Sequence, residues 1–142
     1  MSHFTKAKLK LTNLEAAIKA CRELGFTGAL TEGKHTVIDY YKNKVDVVAS
    51  IKVGQYDIGF TDEGTDENGV TQYSVGADWM MMGSYLPAKY RNMNTADIQN
   101  AIIQHAGLNT IQATYEAQGF DCAVENQANG DIEVTLTRGG LL

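Results

Sequence analysis

The stretch VDVVASIKVGQYDIGFT, residues 45–61, decides the fold class of this chain. Its first part, 45–53, is rich in β-branched side chains that favour a strand, and Gly54-Gln55 forms a turn before a second strand at 56–61. Two strands joined by two residues form an antiparallel hairpin. Outward from this hairpin, the same criteria predict a meander with further strands at 26–31, 36–41 and 70–76 and turns at 32–34 and 62–69. A separate first strand is predicted at 3–11.

The first predicted helix lies between the first two strands. Asn13 is placed to cap its start, and Gly25 is placed to end it in a left-handed conformation, with Phe26 as the apolar anchor. Its apolar stripe consists of Leu14, Ala17, Ile18 and Cys21.

The second predicted helix begins at Thr95 and ends near Gln118. Gly107 inside this helix predicts a kink or a close approach of another group. Two last strands at 120–126 and 131–137 are joined through Asn129-Gly130, a strong hairpin signal.

These elements predict an α+β fold, with an antiparallel sheet and two helices packed on one face. Gly-Phe follows each helix, at 25–26 and 119–120, and leads into a strand, a turn and another strand. The chain can therefore be described as two repeated strand-helix-strand-strand units, although Gly-Phe is also a common way to leave a helix. We expect one α+β domain at 1–138 and a flexible tail at 139–142.

Composition and charge exclude several classes of protein. The chain has 142 residues, of which 44% are apolar, enough for a core without metal or disulfide support. A net charge of −5 argues against nonspecific nucleic-acid binding, which needs clustered Lys and Arg. No segment approaches the ~20 apolar residues of a membrane span, and the first residues lack the features of a targeting signal. The predicted location is therefore cytoplasmic.

The residues that could take part in catalysis or metal binding do not form a catalytic pattern. The two cysteines, Cys21 and Cys122, are interpreted as buried apolar residues, with a disulfide or a nucleophile as the alternative. His3, His35 and His105 have no metal-ligand spacing. The acidic loop at 62–69 lacks the first and last carboxylates of a calcium loop. We therefore predict no enzyme, no metal and no cofactor, unless buried polar groups converge on His35, His105 or Cys122.

The segment 79–91 has the most unusual composition and is the predicted contact surface for a protein partner or a second copy. Its residue types are those enriched at interface cores, and methionine adapts to varied partners. The alternative is a connection that crosses the core, with methionines filling its gaps. The predicted partner-binding residues are Trp79, Met80, Met81, Met82, Tyr85 and Arg91. The leading functional hypothesis is a non-catalytic binding or regulatory module that acts through protein–protein contacts.

A basic stripe supports the second hypothesis, a binder of a small ligand or of single-stranded nucleic acid on the open face of the sheet. The stripe would consist of Lys6, Lys8, Lys10 and Lys52. Outward aromatic residues for stacking bases are not evident, so nucleic acid is the less favoured partner. The simpler alternative is a solvated sheet face that resists edge aggregation.

Several short motifs occur in an order known from one family. They are MSHFT at the start, YDIGF at 56–60, QGF at 118–120 and a closing hairpin with Asn-Gly-Asp that ends near Arg138. Over residues 1–138 the chain resembles the hypothetical chloroplast open reading frame 35 family, a domain of unknown function from plastids and cyanobacteria.

The chain departs from the family pattern at three places. It has Gly139-Gly140-Leu141-Leu142 where an aromatic residue usually follows, His105-Ala106-Gly107-Leu108 in place of a tyrosine-rich segment, and a less polar 79–82. These departures fit a divergent member, for instance one carried by a cyanophage. The resemblance implies the cyanobacterial cytosol, the plastid stroma or an infected host cell, and it implies no established activity and no catalytic residues.

Overall fold

The computed structural model describes residues 4–6, 11–126 and 132–138 and has an α+β fold. The chain divides into two compact units, Met1–Gly107 and Leu108–Leu142. The helices are α1 (Leu14–Glu23), α2 (Trp79–Met82) and α3 (Thr95–Ala117), and the strands are β1 (Thr5–Lys6), β2 (Leu30–Ile38), β3 (Lys44–Val53), β4 (Tyr56–Thr65), β5 (Thr71–Ala77), β6 (Phe120–Asn126) and β7 (Ile132–Arg138). The predicted domain boundaries at 138 and 139 fall at the end of the described residues and stay predictions.

The first unit is built on an antiparallel sheet with the order β1-β5-β4-β3-β2. The predicted hairpin at 45–61 lies at its centre, where Ile51 pairs with Ile58. Phe60 pairs with Val75 on the next strand. The antiparallel meander predicted from the sequence is therefore confirmed.

The core lies between this sheet and the helices. Ile51, Ile58, Phe60 and Val75 are fully buried, and they share one cluster with residues of α1 and of the first half of α3. The helix residues of this cluster are Ala17, Ala20, Cys21, Ile98, Ile102 and Ala106. The buried face of α1 consists of small residues, whereas α3 fills the core with the larger side chains of Ile98 and Ile102.

The ends of α1 match the sequence prediction. The side chain of Asn13 accepts a hydrogen bond from the Ala16 N–H at 3.0 Å, which satisfies one of the free donors at the helix start. Gly25 has a φ of +106° and ends the helix, and the Phe26 N–H donates back to the Cys21 carbonyl at 2.9 Å. Burial raises the pKa of the Cys21 thiol to about 12, so this cysteine is an apolar core residue.

The turn predicted at 32–34 is wrong. β2 runs continuously through these residues, and its register with β3 shifts between Glu32 and His35. Gly33, with a φ of +92°, supplies the left-handed residue that such a bulge uses. A glycine between polar residues is the signal of a turn and of a bulge alike, so the sequence could not separate the two.

The acidic loop at 62–69 forms the tip of the β4–β5 hairpin. β4 extends to Thr65, so half of the predicted loop is strand. The Asp66 carboxylate accepts the backbone N–H groups of Asn68 and Val70 at 2.9 and 3.0 Å. This acid closes its own turn, in the manner typical of aspartate in turns.

The second unit contains the end of α3 and a two-stranded sheet of β6 and β7. Cys122 pairs with Leu136 across the two strands, and the rings of Tyr115 and Phe120 meet edge to face at 5.8 Å. The two units therefore differ in their number of strands. The predicted turn at Asn129-Gly130, the tail 139–142 and part of the predicted first strand lie outside the described residues. A Cβ placed on Gly107 meets no atom within 4 Å, so the predicted close approach is not found there.

The carboxylate of Asp39 organises the β2–β3 turn. It accepts the Asn43 backbone N–H at 2.9 Å and the Asn43 side-chain amide at 3.0 Å, and the backbone of Tyr41 and Phe4 also donates to it. Burial acts to raise the pKa of Asp39, but these hydrogen bonds outweigh burial and hold the pKa below its ordinary value. Ionised Asp39 thereby ties the residue before β1 to the β2–β3 turn.

We predict that this contact makes the stability of the protein depend on pH. A carboxyl whose pKa is lower in the folded state stabilises the protein above about pH 4, and this contribution is lost as the pH falls through the folded value. Asp39→Asn should therefore lower the urea midpoint at pH 7, and the difference from the wild type should shrink toward pH 3. Glu67→Gln, at the exposed hairpin tip, is the control. An equal difference at both pH values would contradict the prediction.

Candidate functional site

The structure divides the predicted partner-binding residues between core and surface. Trp79 and Met82 are buried in the core, and Met81 is half-buried. Met80 is 70% exposed, and Tyr85 is also exposed. The remaining residue, Arg91, is exposed as well. Both interpretations of 79–91 thus hold for different residues, since the segment fills the core and also presents apolar groups to solvent.

Aromatic packing holds this segment in place. The ring of Phe26 meets that of Trp79 edge to face at 6.4 Å and stacks on that of Tyr90 at 5.5 Å. Phe26 lies three residues after the end of α1, so the helix exit and the 79–91 segment share one anchor. Tyr85 lies outside this cluster, with its ring against Gly54 in the β3–β4 turn.

Two buried polar atoms beside this anchor have no hydrogen-bond partner within the described part of the chain. They are Oδ1 of Asp78 and Nε1 of Trp79. The other Asp78 oxygen accepts the Tyr40 N–H at 2.9 Å. Buried polar atoms are paired in the great majority of cases, so each exception calls for an explanation.

A groove of about 370 Å³ opens beside Trp79. Its lining residues are Trp79, Met80, Gly83, Leu86, Arg91, Met93, Asn94, Thr95 and Ile98. Trp79, Leu86 and Ile98 are buried and form the floor, whereas Met80 and Met93 are 70% and 44% exposed and form the rim. We call this feature the methionine groove. The contact surface predicted from the sequence at 79–91 does not include Met93, which follows that segment by two residues.

Two hydrogen bonds to backbone carbonyls position Arg91 at the groove. Its Nε donates to the Leu86 carbonyl and its Nη2 to the Ser84 carbonyl, each at 3.0 Å. These bonds use one edge of the guanidinium and leave the edge formed by Nη1 and Nη2 for another acceptor. None of the described lining residues carries a carboxylate, so the positive charge of Arg91 is not balanced inside the groove.

The start of α3 adds positive potential to the same groove. The Asn94 side chain accepts the Asp97 N–H at 2.8 Å, and the Asn94 carbonyl accepts the Ile98 N–H at 3.2 Å. The N–H groups of Thr95 and Ala96 belong to the first turn, where a helix offers no acceptor of its own. The helix dipole also places a partial positive charge there.

The predicted lysine stripe is described at one position only. Lys52 is exposed on β3, whereas the side chain of Lys6 and all of Lys8 and Lys10 lie outside the described residues. Burial raises the pKa of Asp57, which pairs with Lys52 across β3 and β4, and the charges of Lys52 and His35 oppose this rise. The stripe therefore stays a prediction.

His35 and Ser50 form a hydrogen-bonded pair that the sequence did not reveal. Nδ1 of His35 lies 2.6 Å from the Gly33 carbonyl, which can only accept, so the neutral tautomer that fits this contact has its proton on Nδ1. Nε2 then accepts the Ser50 hydroxyl at 2.7 Å. A nucleophile and its base use this arrangement, but Ser50 is only 3% exposed. The pair holds the β2 bulge on β3, and both ring nitrogens of His35 are used.

A second cavity, of about 530 Å³, lies along β2, β3 and β4. Its lining residues are Lys34, His35, Thr36, Asp46, Val47, Val48, Thr61 and Asp62. It carries both signs of charge and two hydroxyl groups, and Ser50 is not among its lining residues. We call it the sheet cavity.

The other candidate residues are dispersed. His105 lies 3.3 Å from the Glu23 carboxylate on the surface of the first unit, and Cys122 lies in the second unit with its thiol 3.8 Å from the Gln112 carbonyl. His3 is outside the described residues. In the ranges that the structure describes, no three His, Cys, Asp or Glu side chains are grouped to hold a metal ion.

Comparison with family models, with curated proteins and with solved structures gives no match to this chain. Its resemblance to the chloroplast open reading frame 35 family therefore stays a prediction. Among the described helices, none is long and apolar enough to cross a bilayer.

The packing of Trp79 leads to a stability prediction. Trp79→Ala should lower the free energy of unfolding by about 3–5 kcal/mol, because it opens a cavity under Phe26. Trp79→Phe keeps most of the packing and removes the unpaired N–H, so we expect less than half of that loss. Urea unfolding followed by circular dichroism measures both variants, with exposed Met80→Ala as the control within about 0.5 kcal/mol of the wild type. Equal losses for Ala and Phe would contradict the packing role.

Proposed function

We propose that this protein is a non-catalytic binding module that acts through protein–protein contacts, with the methionine groove as its contact site. The observation that carries the proposal is the arrangement of Met80 and Met93, two exposed methionines on the rim of a groove with a buried apolar floor. Flexible methionines at a rim adapt to apolar side chains of different shape. The occupant is an apolar side chain of a partner polypeptide.

Other exposed apolar residues support the proposal less well. Tyr40 and Tyr41 meet edge to face at 5.1 Å beside the β2–β3 turn, and Val70 lies at the hairpin tip. Neither place belongs to the lining of the methionine groove or of the sheet cavity. Single exposed apolar residues are normal on a protein surface. If the family resemblance holds, the partner belongs to the cyanobacterial cytosol, the plastid stroma or an infected host cell.

The proposal can be tested with the neutral dipeptide acetyl-leucyl-leucine amide. Trp79 is the only tryptophan, so its indole N–H gives a single NMR signal that reports on the groove. We expect this signal to shift in a saturable way on titration. Met80→Glu and Met93→Glu should weaken binding about fivefold or more, since a buried charge opposes apolar contact.

The matched control is Val70→Glu, which places the same charge at another exposed apolar residue and should leave binding unchanged. The absence of a shift at Trp79, or equal binding by all variants, would overturn the proposal. Sedimentation of the same variants reports on self-association. A dimer that dissociates in Met80→Glu alone would show that the occupant is a second copy.

The sheet cavity favours a second candidate function, the binding of a small polar ligand. Lys34 offers a cation, and Asp46 and Asp62 offer carboxylates, so a ligand with both charges is complementary to it. The same carboxylates repel a nucleic-acid backbone at this place.

Thermal unfolding with 5 mM free lysine, 5 mM free glutamate or a ten-nucleotide single-stranded RNA tests this second function. A zwitterion should raise the unfolding temperature of the wild type, because a ligand that binds only the folded state stabilises it. The rise should be absent in Asp46→Asn and retained in Glu67→Gln. Stabilisation by RNA alone would instead favour the nucleic-acid alternative, and no rise with any probe would contradict both.

A further inference from the structure

We infer that the methionine groove takes the C-terminal residue of a partner polypeptide, with its apolar side chain on the groove floor and its α-carboxylate at Arg91. This inference rests on the proposed function and adds the chemistry of the partner. The partner is a polypeptide whose C-terminal residue is apolar.

The guanidinium of Arg91 is the first group that favours a carboxylate in the groove. Its Nε and Nη2 are fixed by the carbonyls of Leu86 and Ser84, so the side chain is already ordered. The remaining edge presents two parallel N–H groups, the geometry that a carboxylate accepts in a bidentate manner. No carboxylate lies within ion-pair distance of Arg91 among the described residues. A ligand can therefore supply the missing anion without displacing a partner.

A donor at the start of α3 supports the inference next. Trp79 lines the groove with its ring, whereas its unpaired indole N–H is fully buried and does not face the groove. The first turn of α3 contributes Thr95 to the same lining, with a backbone N–H that has no acceptor in the helix. This N–H and Arg91 both favour an acceptor of negative charge, whereas Asp78 is not a lining residue.

The small size of the groove, about 370 Å³, favours one residue that carries both the carboxylate and the apolar group over two separate residues of a chain. In a C-terminal leucine, three bonds join the carboxylate carbon to Cγ, a distance of about 4 Å. An internal acid and an apolar residue one helical turn apart have Cβ atoms about 5–6 Å apart and need room for the chain on both sides. One C-terminal residue can accept from the donors with its carboxylate and cover the floor with its side chain.

The experiment compares three probes that share one side chain. They are acetyl-alanyl-leucyl-leucine with a free carboxylate, the same peptide as its carboxamide, and 4-methylpentanoate, which has the side chain and the carboxylate without a peptide backbone. The readouts are the dissociation constant from Trp79 fluorescence and the NMR shift of its indole N–H. We expect the free acid to bind about tenfold or more tightly than the amide, because its hydrogen bonds are charge-assisted.

Two variants locate the carboxylate. Arg91→Gln should abolish the preference for the acid, whereas Lys89→Gln makes the same change in net charge two residues away and should keep it. Lys89 lies over the Tyr90 ring and does not line the groove. Arg91 also donates to the Ser84 and Leu86 carbonyls, so unfolding curves of Arg91→Gln are needed to show that the variant is folded. The comparison of acid and amide in the wild type does not depend on this variant.

The outcomes separate this inference from the proposed function. Equal binding of acid and amide would overturn the inference and leave the groove as an apolar contact site. Binding of neither peptide would overturn both. Binding of 4-methylpentanoate as tight as that of the acid peptide would identify a site for small acids and overturn the polypeptide partner. An unchanged acid preference in Arg91→Gln would place the carboxylate elsewhere and also overturn the inference.

Discussion

The contact of Phe26 with Trp79 and Tyr90 is the interaction on which the methionine groove depends. Phe26 begins the chain after α1, and the other two rings belong to the irregular segment between β5 and α3. Local sequence gives that segment little regular structure, since α2 is one turn long and the next turns are 3₁₀. Its conformation is therefore set by burial of these rings, and the position of Arg91, directly after Tyr90, is set with it.

Much of the first unit could be predicted because its signals are local. Asn13 and Gly25 bound α1 through hydrogen bonds within a few residues, and Gly54-Gln55 joins two strands of clear β-propensity. The bulge at Gly33 could not be predicted, because it depends on the contact of His35 with Ser50, fifteen residues away. Ser50 looks like a polar interruption in an apolar strand until its partner is known.

The sequence predicts which residues belong to the candidate site but not which of their side chains are exposed. Trp79, Met80, Met81 and Met82 are consecutive and apolar, so periodicity gives no preference for which of them faces the core. One helical turn resolves the question: Trp79 and Met82, three residues apart, share the buried side, and Met80 points to solvent. That choice is made by Phe26, a residue more than fifty positions earlier, and no local pattern contains it.

The energetics of the groove set the kind of contact that it can make. Burying one leucine-sized side chain contributes about 1.5–3 kcal/mol, and a charge-assisted hydrogen bond about 1.5–3 kcal/mol. The loss of translational and rotational freedom offsets about 4 kcal/mol or more of this gain. A single residue in the groove thus binds weakly, by about 2 kcal/mol at most, which is a dissociation constant of tens of millimolar. The fixed Arg91 edge would add specificity rather than strength, because a ligand without an acceptor leaves this edge unsatisfied. A firm complex would need further contacts around Met80 and Met93, which their exposed side chains are placed to make.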